Sequence, residues 1–246
     1  MEYKWRKKRK KAFVLFICIV GICFLVTRMV RVEDKTTVKV HNMHTEQNEK
    51  AIRYVASNMI KEDPKIAITF DDGPSPAWTP QLLDGLKERN VKATFFLIGE
   101  NAKNNPELVK REAEEGHLIG NHTYHHVEIT RVPDETAQEE ILMTNEVITG
   151  ITGEEVSYMR PPFGVWQKNL ERKLDVMPVL WTIDPLDWTT DNEDEIINKV
   201  VTQAGENDII LLHDCYESSV NAALRIVDIL QKEGFEFVTV DELIMN

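Results

Sequence analysis

Residues that can bind metal or move protons recur where apolar, strand-like runs of this sequence end. Asp71 and Asp72 follow the apolar run at 66–70, and His213 follows a second run at 209–212. Similar groups end or follow four further runs: Glu100, His122 to His126, Arg160, and Asp184 with Asp187. In parallel β/α barrels, catalytic side chains lie at the C-terminal ends of several different strands. This repetition predicts an active site at one rim of such a barrel.

Two histidines and one aspartate have the composition of a catalytic metal site. His122 and His126 are four residues apart, a spacing that places two imidazoles on one side of a helical turn. With Asp72 they supply two nitrogens and one oxygen, which leaves positions open for water and substrate. Zinc suits this set, and cobalt, nickel or manganese can occupy such sites too. Taken alone, a histidine pair is more often a surface feature, and the Asp-Asp-Gly-Pro sequence at 71–74 also suits a turn.

Apolar runs alternate with amphipathic stretches from Pro64 onward. Strands are predicted near 66–70, 93–98, 117–120, 156–160, 178–183, 208–212 and 235–239. Helices are predicted near 79–89, 106–115, 134–149, 167–174, 193–204 and 218–233. Thr79 is the expected N-cap of the first helix, and Gly116 and Gly234 stand where helices should stop. The alternation predicts one domain with a parallel sheet buried on both faces.

The first 32 residues have a composition of their own. Seven of the first eleven residues are Lys or Arg, and an unbroken apolar run follows at 12–26. Extended to Val30, with Arg28 reaching the interface, the run approaches the roughly 17 to 25 residues of a membrane span. We expect a cytoplasmic basic tail (1–11), a transmembrane signal anchor (12–32), a polar tether (33–62) and an extracytoplasmic catalytic domain (63–246). A cleaved signal peptide is the alternative, although no small-x-small site follows the run.

The rest of the chain is acidic. Nine of the 29 Lys and Arg residues and one of the 41 Asp and Glu residues lie in 1–31, which leaves 20 basic and 40 acidic residues. This charge argues against nucleic acid or anionic lipid as a partner of the expected catalytic domain. Only Cys215 lies in that domain, so it cannot form an internal disulfide.

Five ordered motifs resemble those of the polysaccharide deacetylase family, the NodB-homology carbohydrate esterases. They are Thr-Phe-Asp-Asp-Gly-Pro (69–74), His-Thr-Tyr-His-His (122–126), Arg-Pro-Pro-Phe-Gly (160–164), Asp-Pro-Leu-Asp-Trp (184–188) and Leu-Leu-His (211–213). The match covers roughly residues 64 to 240. The resemblance implies a distorted (β/α)7 barrel, similar to a TIM barrel, that removes N-acetyl groups from amino sugars in a polymer.

The resemblance also implies a role for each catalytic position. The metal ligands would be Asp72, His122 and His126. Asp71 would be the general base, oriented and tuned by Arg160. His213 would be the general acid, kept protonated by pairing with Asp187. Amide hydrolysis needs these parts, because the carbonyl must be polarised, the water deprotonated and the leaving amine protonated.

A substrate-binding set follows from the same resemblance. Trp188 and Leu211 would line a pocket for the acetyl group, and the backbone N–H of Phe163 would help to hold the oxyanion. Pro162 belongs to the same set. Phe163 stands where the family commonly has tyrosine, but the group used there is the backbone. Without the resemblance, Arg160 suits a surface ion pair, Trp188 a core residue and Leu211 an ordinary strand position.

The expected substrate is N-acetylglucosamine in peptidoglycan, the cell-wall glycan that an enzyme tethered to the outer leaflet meets first. The Gly-Pro-Ser-Pro sequence at 73–76 also resembles glucosamine more than muramic-acid deacetylases. Chitin-like oligomers, xylan acetyl esters, another exopolysaccharide, or glycan binding without catalysis are the alternatives. A nucleophile made of Cys215 and His213 is a further alternative, but it leaves the three metal-binding residues unexplained.

Overall fold

The computed structural model describes residues 63–168, 170 and 174–245. The predicted cytoplasmic tail, transmembrane anchor and tether, residues 1–62, lie outside these ranges. Within the described part of the chain, no helix combines the length and the apolar character that crossing a membrane requires.

Strands and helices alternate along the described chain. The strands are β1 (Lys65–Asp71), β2 (Thr94–Leu97), β3 (Leu118–Asn121), β4 (Tyr158–Met159), β5 (Met177–Pro178), β6 (Ile209–His213) and β7 (Glu236–Phe237). The helices are α1 (Thr79–Glu88), α2 (Gly99–Asn104), α3 (Pro106–Glu114), α4 (Asp134–Thr152), α5 (Glu193–Val201), α6 (Glu217–Glu233) and α7 (Val240–Ile244). The seven predicted strands are confirmed. Helices α2 and α7 were not predicted, and the helix predicted at 167–174 falls largely outside the described residues.

The strands form one parallel sheet that curls on itself. Their order is β5-β4-β3-β2-β1-β6, and β7 pairs with the start of β1. Past β5, the Val179 N–H donates to the Met159 carbonyl at 2.8 Å, and the Leu211 N–H donates to the Ile183 carbonyl at 2.9 Å. One segment therefore contacts both the β4 and the β6 edge. The described strands make a curled half-barrel, without the continuous seven-membered ladder that the predicted barrel implies.

Proline explains why β4 and β5 are short. Pro161 and Pro162 follow β4 after one residue, and Pro178 ends β5. A proline has no N–H to donate to a neighbouring strand, so the regular ladder is interrupted at these positions, although the Val179 N–H still pairs with Met159. The predicted strands at 156–160 and 178–183 are for this reason each reduced to two residues.

Strand β1 shows how the fold aims side chains at the site. Ile66, Ile68 and Phe70 pack in the apolar layer beneath the helices, whereas Ala67 packs in a separate interior cluster. Successive side chains of a strand point to opposite faces, so Asp71 shares the interior face with Ala67. The register pairs Asp71 with His213 on β6. Both residues consequently reach the same rim.

The predicted helix ends are confirmed at two of three positions. Gly116 and Gly234 have φ angles of 81° and 97° just after their helices, the left-handed conformation that glycine adopts most easily. Thr79 is not an N-cap, because it is the first residue of α1 itself. Its hydroxyl accepts a hydrogen bond from the Ser75 N–H at 2.7 Å and donates to the Asp214 carboxyl group.

Candidate active site

A cavity of about 440 Å³ lies at the C-terminal ends of the strands. Its walls include most of the predicted site: Asp71, Asp72, His122, His126, Phe163, Trp188, Leu211 and His213. A larger groove of about 940 Å³ runs beside α4, β4 and β5, but the described residues that line it include no histidine or cysteine. The smaller cavity is therefore the one that combines histidines with carboxylates.

Asp72, His122 and His126 are brought together at one point of the cavity. The Asp72 Oδ1 atom lies 3.4 Å from the Nε2 atom of His122 and 3.4 Å from that of His126. One ligand atom from each residue lies within 4.8 Å of the others. Among the described residues, the buried Asp72 Oδ1 has no hydrogen-bond partner. An unpartnered carboxylate oxygen facing two imidazole nitrogens fits a divalent cation such as zinc.

A backbone carbonyl fixes the tautomer of His122. Its Nδ1 atom lies 2.6 Å from the Arg160 carbonyl oxygen. Because a carbonyl only accepts hydrogen bonds, Nδ1 carries the proton and Nε2 keeps its lone pair toward Asp72. Burial and the nearby His122 lower the pKa of His126. This favours the neutral form of the His126 imidazole, which is the form that binds metal.

The two histidines do not lie on a helical turn, so the structural reason given for their spacing is wrong. Residues 122–128 form an irregular loop, in which Thr123 and His126 have φ angles of 62° and 55°. The imidazole rings of His122 and His126 still lie close, with centroids 5.0 Å apart. Left-handed backbone angles, not helical periodicity, bring them to the same side.

Glu140 of α4 holds this loop in its irregular shape. Its Oε2 atom accepts hydrogen bonds from the N–H groups of Tyr124 and His125 at 3.0 and 2.8 Å. Its Oε1 atom lies 2.8 Å from the His125 Nδ1 atom. His125 is therefore structural. Sequence reasoning missed Glu140, which lies fourteen residues after His126 in a helix with several other glutamates.

Asp71 is held by the buried side chain of Arg160. The Nη1 atom of Arg160 donates to Asp71 Oδ1 at 2.8 Å and to the Thr69 hydroxyl at 2.7 Å. Its other donors reach the carbonyls of Val179 and Leu180, each at 3.2 Å. Arg160 is fully buried, which excludes the surface ion pair considered above. The second Asp71 oxygen, Oδ2, faces the His122 Nε2 atom at 3.9 Å.

His213 is paired with Asp187, as expected. Asp187 Oδ1 lies 2.8 Å from the His213 Nδ1 atom, and Oδ2 accepts the His213 backbone N–H at 2.8 Å. Burial alone would lower the pKa of His213, but the hydrogen bond and charge of Asp187 outweigh it and raise that pKa to about 9. The His213 Nε2 atom faces Asp72, with 4.0 Å between it and Oδ2. A protonated imidazole therefore points into the cavity.

Asp214 is a buried residue of the site region that sequence reasoning left without a role. It accepts a hydrogen bond from Thr79, and a Cβ atom added at Gly73 would lie 2.6 Å from both of its carboxyl oxygens. Burial raises the pKa of Asp214 to about 7. Because Gly73 follows Asp72 and Asp214 follows His213, this contact fixes the spacing between two predicted functional residues.

The predicted substrate-binding residues differ in their burial and in whether they line the cavity. Leu211 is buried in the cavity wall, while Trp188 is exposed at its rim, which excludes a core role for that tryptophan. Phe163 is exposed too, and its ring packs edge-on against His126 with centroids 5.0 Å apart. Pro162 is buried and does not line the cavity. The neighbouring Pro161 lines it instead, and the substrate-binding role of Pro162 stays a prediction.

Glu100, named above, and His117 do not line the cavity. Glu100 is an exposed residue of α2. His117 is buried, and its Nδ1 atom accepts the Ala93 N–H at 3.1 Å. Burial lowers the pKa of His117 to about 4, so this histidine is uncharged and structural.

Unusual backbone conformations are concentrated at the site. Five non-glycine residues with positive φ angles lie on the cavity wall or in the loop between its two histidines: Asp72, Thr123, His126, Phe163 and Leu186. Each such conformation costs about 1 to 3 kcal/mol and persists only where the surroundings impose it. Here the hydrogen bonds of Glu140 and the buried Arg160 supply part of that constraint.

The chain is similar to known deacetylases over most of its length. A family model described as polysaccharide deacetylase matches residues 58–179. A Bacillus cereus peptidoglycan-N-acetylglucosamine deacetylase is 39% identical over 199 residues, which are 78% of this chain and 93% of that protein. The Listeria monocytogenes peptidoglycan-N-acetylglucosamine deacetylase PgdA is 37% identical over 216 residues, 85% of this chain and 46% of that protein.

A third relative is Bacillus subtilis PdaC, named as a peptidoglycan-N-acetylmuramic acid deacetylase. It is 39% identical over 178 residues, 72% of this chain and 38% of that protein. Its solved structure superposes with a TM-score of 0.72 at 38% identity, covering 74% of this chain and 90% of that one. The matched region spans less than half of the Listeria and Bacillus subtilis proteins. With the five motifs in one cavity and these relatives at 37 to 39% identity, the chain belongs to the polysaccharide deacetylase family.

Proposed function

We propose that this protein is a metal-dependent hydrolase that removes the N-acetyl group from N-acetylglucosamine residues of peptidoglycan and releases acetate. One observation carries the proposal: a metal-binding triad, a carboxylate and a protonated imidazole share a single cavity. The relatives named as peptidoglycan-N-acetylglucosamine deacetylases support the substrate.

The residues that would hold the metal are Asp72, His122 and His126. A bound divalent cation supplies Lewis-acid chemistry, since it polarises an amide carbonyl and makes water easier to deprotonate. Zinc is the proposed ion, because two imidazole nitrogens and one carboxylate oxygen with an open position are typical of catalytic zinc.

Asp71 and His213 would move the two protons of the reaction. Asp71 takes a proton from the attacking water as the water oxygen bonds to the carbonyl carbon. Arg160 engages only one Asp71 oxygen and so leaves the other free to accept that proton. His213 gives its Nε2 proton to the amide nitrogen as the C–N bond breaks, so that acetate and a free amine result. Asp187 holds the opposite ring nitrogen and keeps the donor oriented.

The remaining motif residues would bind the acetyl group. The Phe163 backbone N–H is positioned by its left-handed conformation and would donate to the developing oxyanion. Leu211 and Trp188 would contact the methyl group, and Trp181, which also lines the cavity, adds apolar surface. Apolar side chains at this position would suit the methyl group of an acetyl better than a charged acyl group.

The proposed location is the outer face of the cell membrane, with residues 12–32 as the anchor. The basic residues before the apolar run and the acidic domain after it support this orientation. A protein held there would meet peptidoglycan directly, and nucleic acid is not a proposed partner.

The test is acetate release from purified peptidoglycan and from N-acetylglucosamine oligomers, with metal analysis of the same preparation. We expect one zinc per chain, loss of activity after chelation and recovery with added zinc. Asp71→Asn should lower activity at least about a hundredfold, as loss of a general base does. Asp175→Asn, an exposed residue of the larger groove that does not line the cavity, is the matched control.

Two results would reject parts of this proposal. Full activity of the Asp71→Asn protein would reject Asp71 as the base. Glycan binding without acetate release, in the presence of saturating zinc, would indicate a binding module instead of an enzyme. Mass spectrometry of the treated glycan identifies which sugar lost its acetyl group, so deacetylated muramic acid would replace glucosamine as the substrate.

A further inference from the structure

Exposed apolar side chains surround the cavity. Phe163, Trp188, Leu186 and Tyr216 are 63%, 57%, 42% and 41% exposed, and all four line it. Single exposed apolar residues are ordinary on protein surfaces, but a group of them around one cavity indicates a ligand-binding surface. Three of these residues lie in the five family motifs. Tyr216 lies outside those motifs, so it is a feature of this chain that they do not explain.

Phe163 and Tyr216 lie at two ends of the reacting centre. The Phe163 ring packs against His126, and the Tyr216 ring lies edge-on to His213 with centroids 6.3 Å apart. His126 faces one oxygen of Asp72 at 3.4 Å, and His213 faces the other at 4.0 Å. A chain of contacts thus links the Phe163 ring to the Tyr216 ring through the two histidines and Asp72.

The backbone of Tyr216 is held at the start of a helix, and its side chain is partly exposed. It is the residue just before α6, and its carbonyl accepts the Val220 N–H at 3.1 Å, within the first turn of that helix. Helix α6 packs on α1 and α5, so the backbone beneath the ring is fixed. Among the described residues, Tyr216 belongs to none of the apolar core clusters. A tyrosine loses little conformational entropy on binding, because only two side-chain torsions are restricted.

We propose that Tyr216 forms an outer subsite, which binds the sugar residue next to the one that is deacetylated. The apolar C–H face of a pyranose ring would stack on the aromatic face, and the phenol hydroxyl would hydrogen-bond to a sugar hydroxyl. This inference rests on the proposed function, because only a polymeric substrate has a neighbouring sugar. It deepens that function by giving the enzyme a preference for longer glycans.

The test compares kcat/KM for the N-acetylglucosamine dimer and pentamer. The wild-type protein should gain in kcat/KM with chain length, and Tyr216→Ala should reduce that gain about three- to tenfold, the range of one aromatic stacking contact. Tyr216→Phe keeps the ring and should retain most of the gain. Leu142→Ala removes an exposed apolar side chain of α4 that does not line the cavity, and it should retain all of the gain.

Binding gives a second readout that does not need turnover. Trp181 and Trp188 line the cavity, so pentamer binding can be followed by their fluorescence. Tyr216→Ala should weaken pentamer binding by the same three- to tenfold factor. Circular dichroism of each variant checks that α6 is intact.

The outcomes separate the subsite from the proposed function. If the wild-type protein releases no acetate from any glycan, the proposed function fails and the subsite fails with it. If the wild-type protein is active but the length-dependent gain is absent, or is unchanged in Tyr216→Ala, only the subsite is overturned. Loss of the gain in both Tyr216→Ala and Leu142→Ala would also overturn it, because the effect would not be local.

Discussion

Replacing Asp187 with asparagine tests whether one buried carboxylate keeps His213 protonated. The pKa of His213 is raised from 6.5 to about 9 despite burial, chiefly by its hydrogen bond with Asp187. At 1.36 kcal/mol for each pKa unit, this difference corresponds to about 3 kcal/mol in favour of the protonated form. Asparagine has nearly the same size but no charge, so the variant removes the electrostatic contribution and leaves the packing.

The sign of the effect on stability follows from the direction of the shift. Because the pKa of His213 is higher in the folded protein than in the unfolded chain, protonation favours folding. The stabilisation is fully present below about pH 6.5 and is lost as the pH rises through about 9. At pH 6 the wild-type protein should therefore have a higher free energy of unfolding than Asp187→Asn. This difference should shrink by about 3 kcal/mol between pH 6 and pH 10.

Three measurements check this prediction. NMR titration of the His213 imidazole in the metal-free protein should give a pKa near 9, and Asp187→Asn should lower it by at least 2 units, about the shift from 6.5. Acetate release by the zinc-loaded variant at pH 8 should fall at least about tenfold, because a pKa lowered by 2 units from about 9 reduces the protonated fraction by that factor. Urea denaturation across the same pH range gives the stability difference. Asp191→Asn, an exposed aspartate of the same loop, is the control.

An unchanged titration of His213 in Asp187→Asn would refute the reasoning, since no other group in the cavity is expected to hold its proton as strongly. A large loss of activity at every pH with an unchanged titration would also refute it. That combination would mean that Asp187 acts by holding the position of the imidazole and not by its charge.

Two further predictions concern buried carboxylates outside the motifs. Asp214 has a pKa raised to about 7, so its ionisation opposes folding, and this cost grows as the pH rises from about 4 to 7. Asp214→Asn should therefore become more stable relative to wild type by up to about 4 kcal/mol over that range, as urea denaturation at pH 4 and pH 8 would show; a difference independent of pH would contradict it. Glu140→Leu should weaken zinc binding about 10- to 100-fold in competition with a chelator, the usual effect of losing a group that orients metal ligands, whereas Glu140→Gln should recover part of the affinity. Equal affinities for wild type and Glu140→Leu would show that the loop at 122–126 does not depend on this contact.

The sequence was a good guide where local patterns determine the structure. Successive side chains of β1 point to opposite faces of the sheet, and Asp71 at the end of the apolar run therefore reaches the rim with His213. Glycine at the ends of two helices identifies their stops for a similar reason, because the left-handed conformation is a property of a single residue. Family motifs then added roles that periodicity cannot provide.

The sequence was a poor guide where a distant side chain determines local shape. Residues 122–126 have the spacing of a helical turn, but Glu140 draws their N–H groups into a loop. Thr79 looks like an N-cap, yet its hydroxyl contacts Asp214, which lies 135 residues later in the chain. The pairing of Arg160 with Thr69 spans 91 residues. No local pattern contains such information, since each partner is an ordinary residue of its own segment.

The partners of His213 also predict how metal binding changes the site. The carboxylates of Asp71 and Asp72 add to the effect of Asp187 in raising the pKa of His213. A cation held by Asp72 would offset the negative charge that faces the imidazole, so the zinc-loaded protein should lose activity with an apparent pKa below the value of about 9 that titration of the metal-free protein gives. The rate profile of loaded wild-type protein, set beside the NMR titration of the metal-free form, measures this difference. Equal pKa values would mean that the cation does not act on His213. That result would contradict the close approach of the two side chains, since the His213 Nε2 atom lies 4.0 Å from the Asp72 Oδ2 atom.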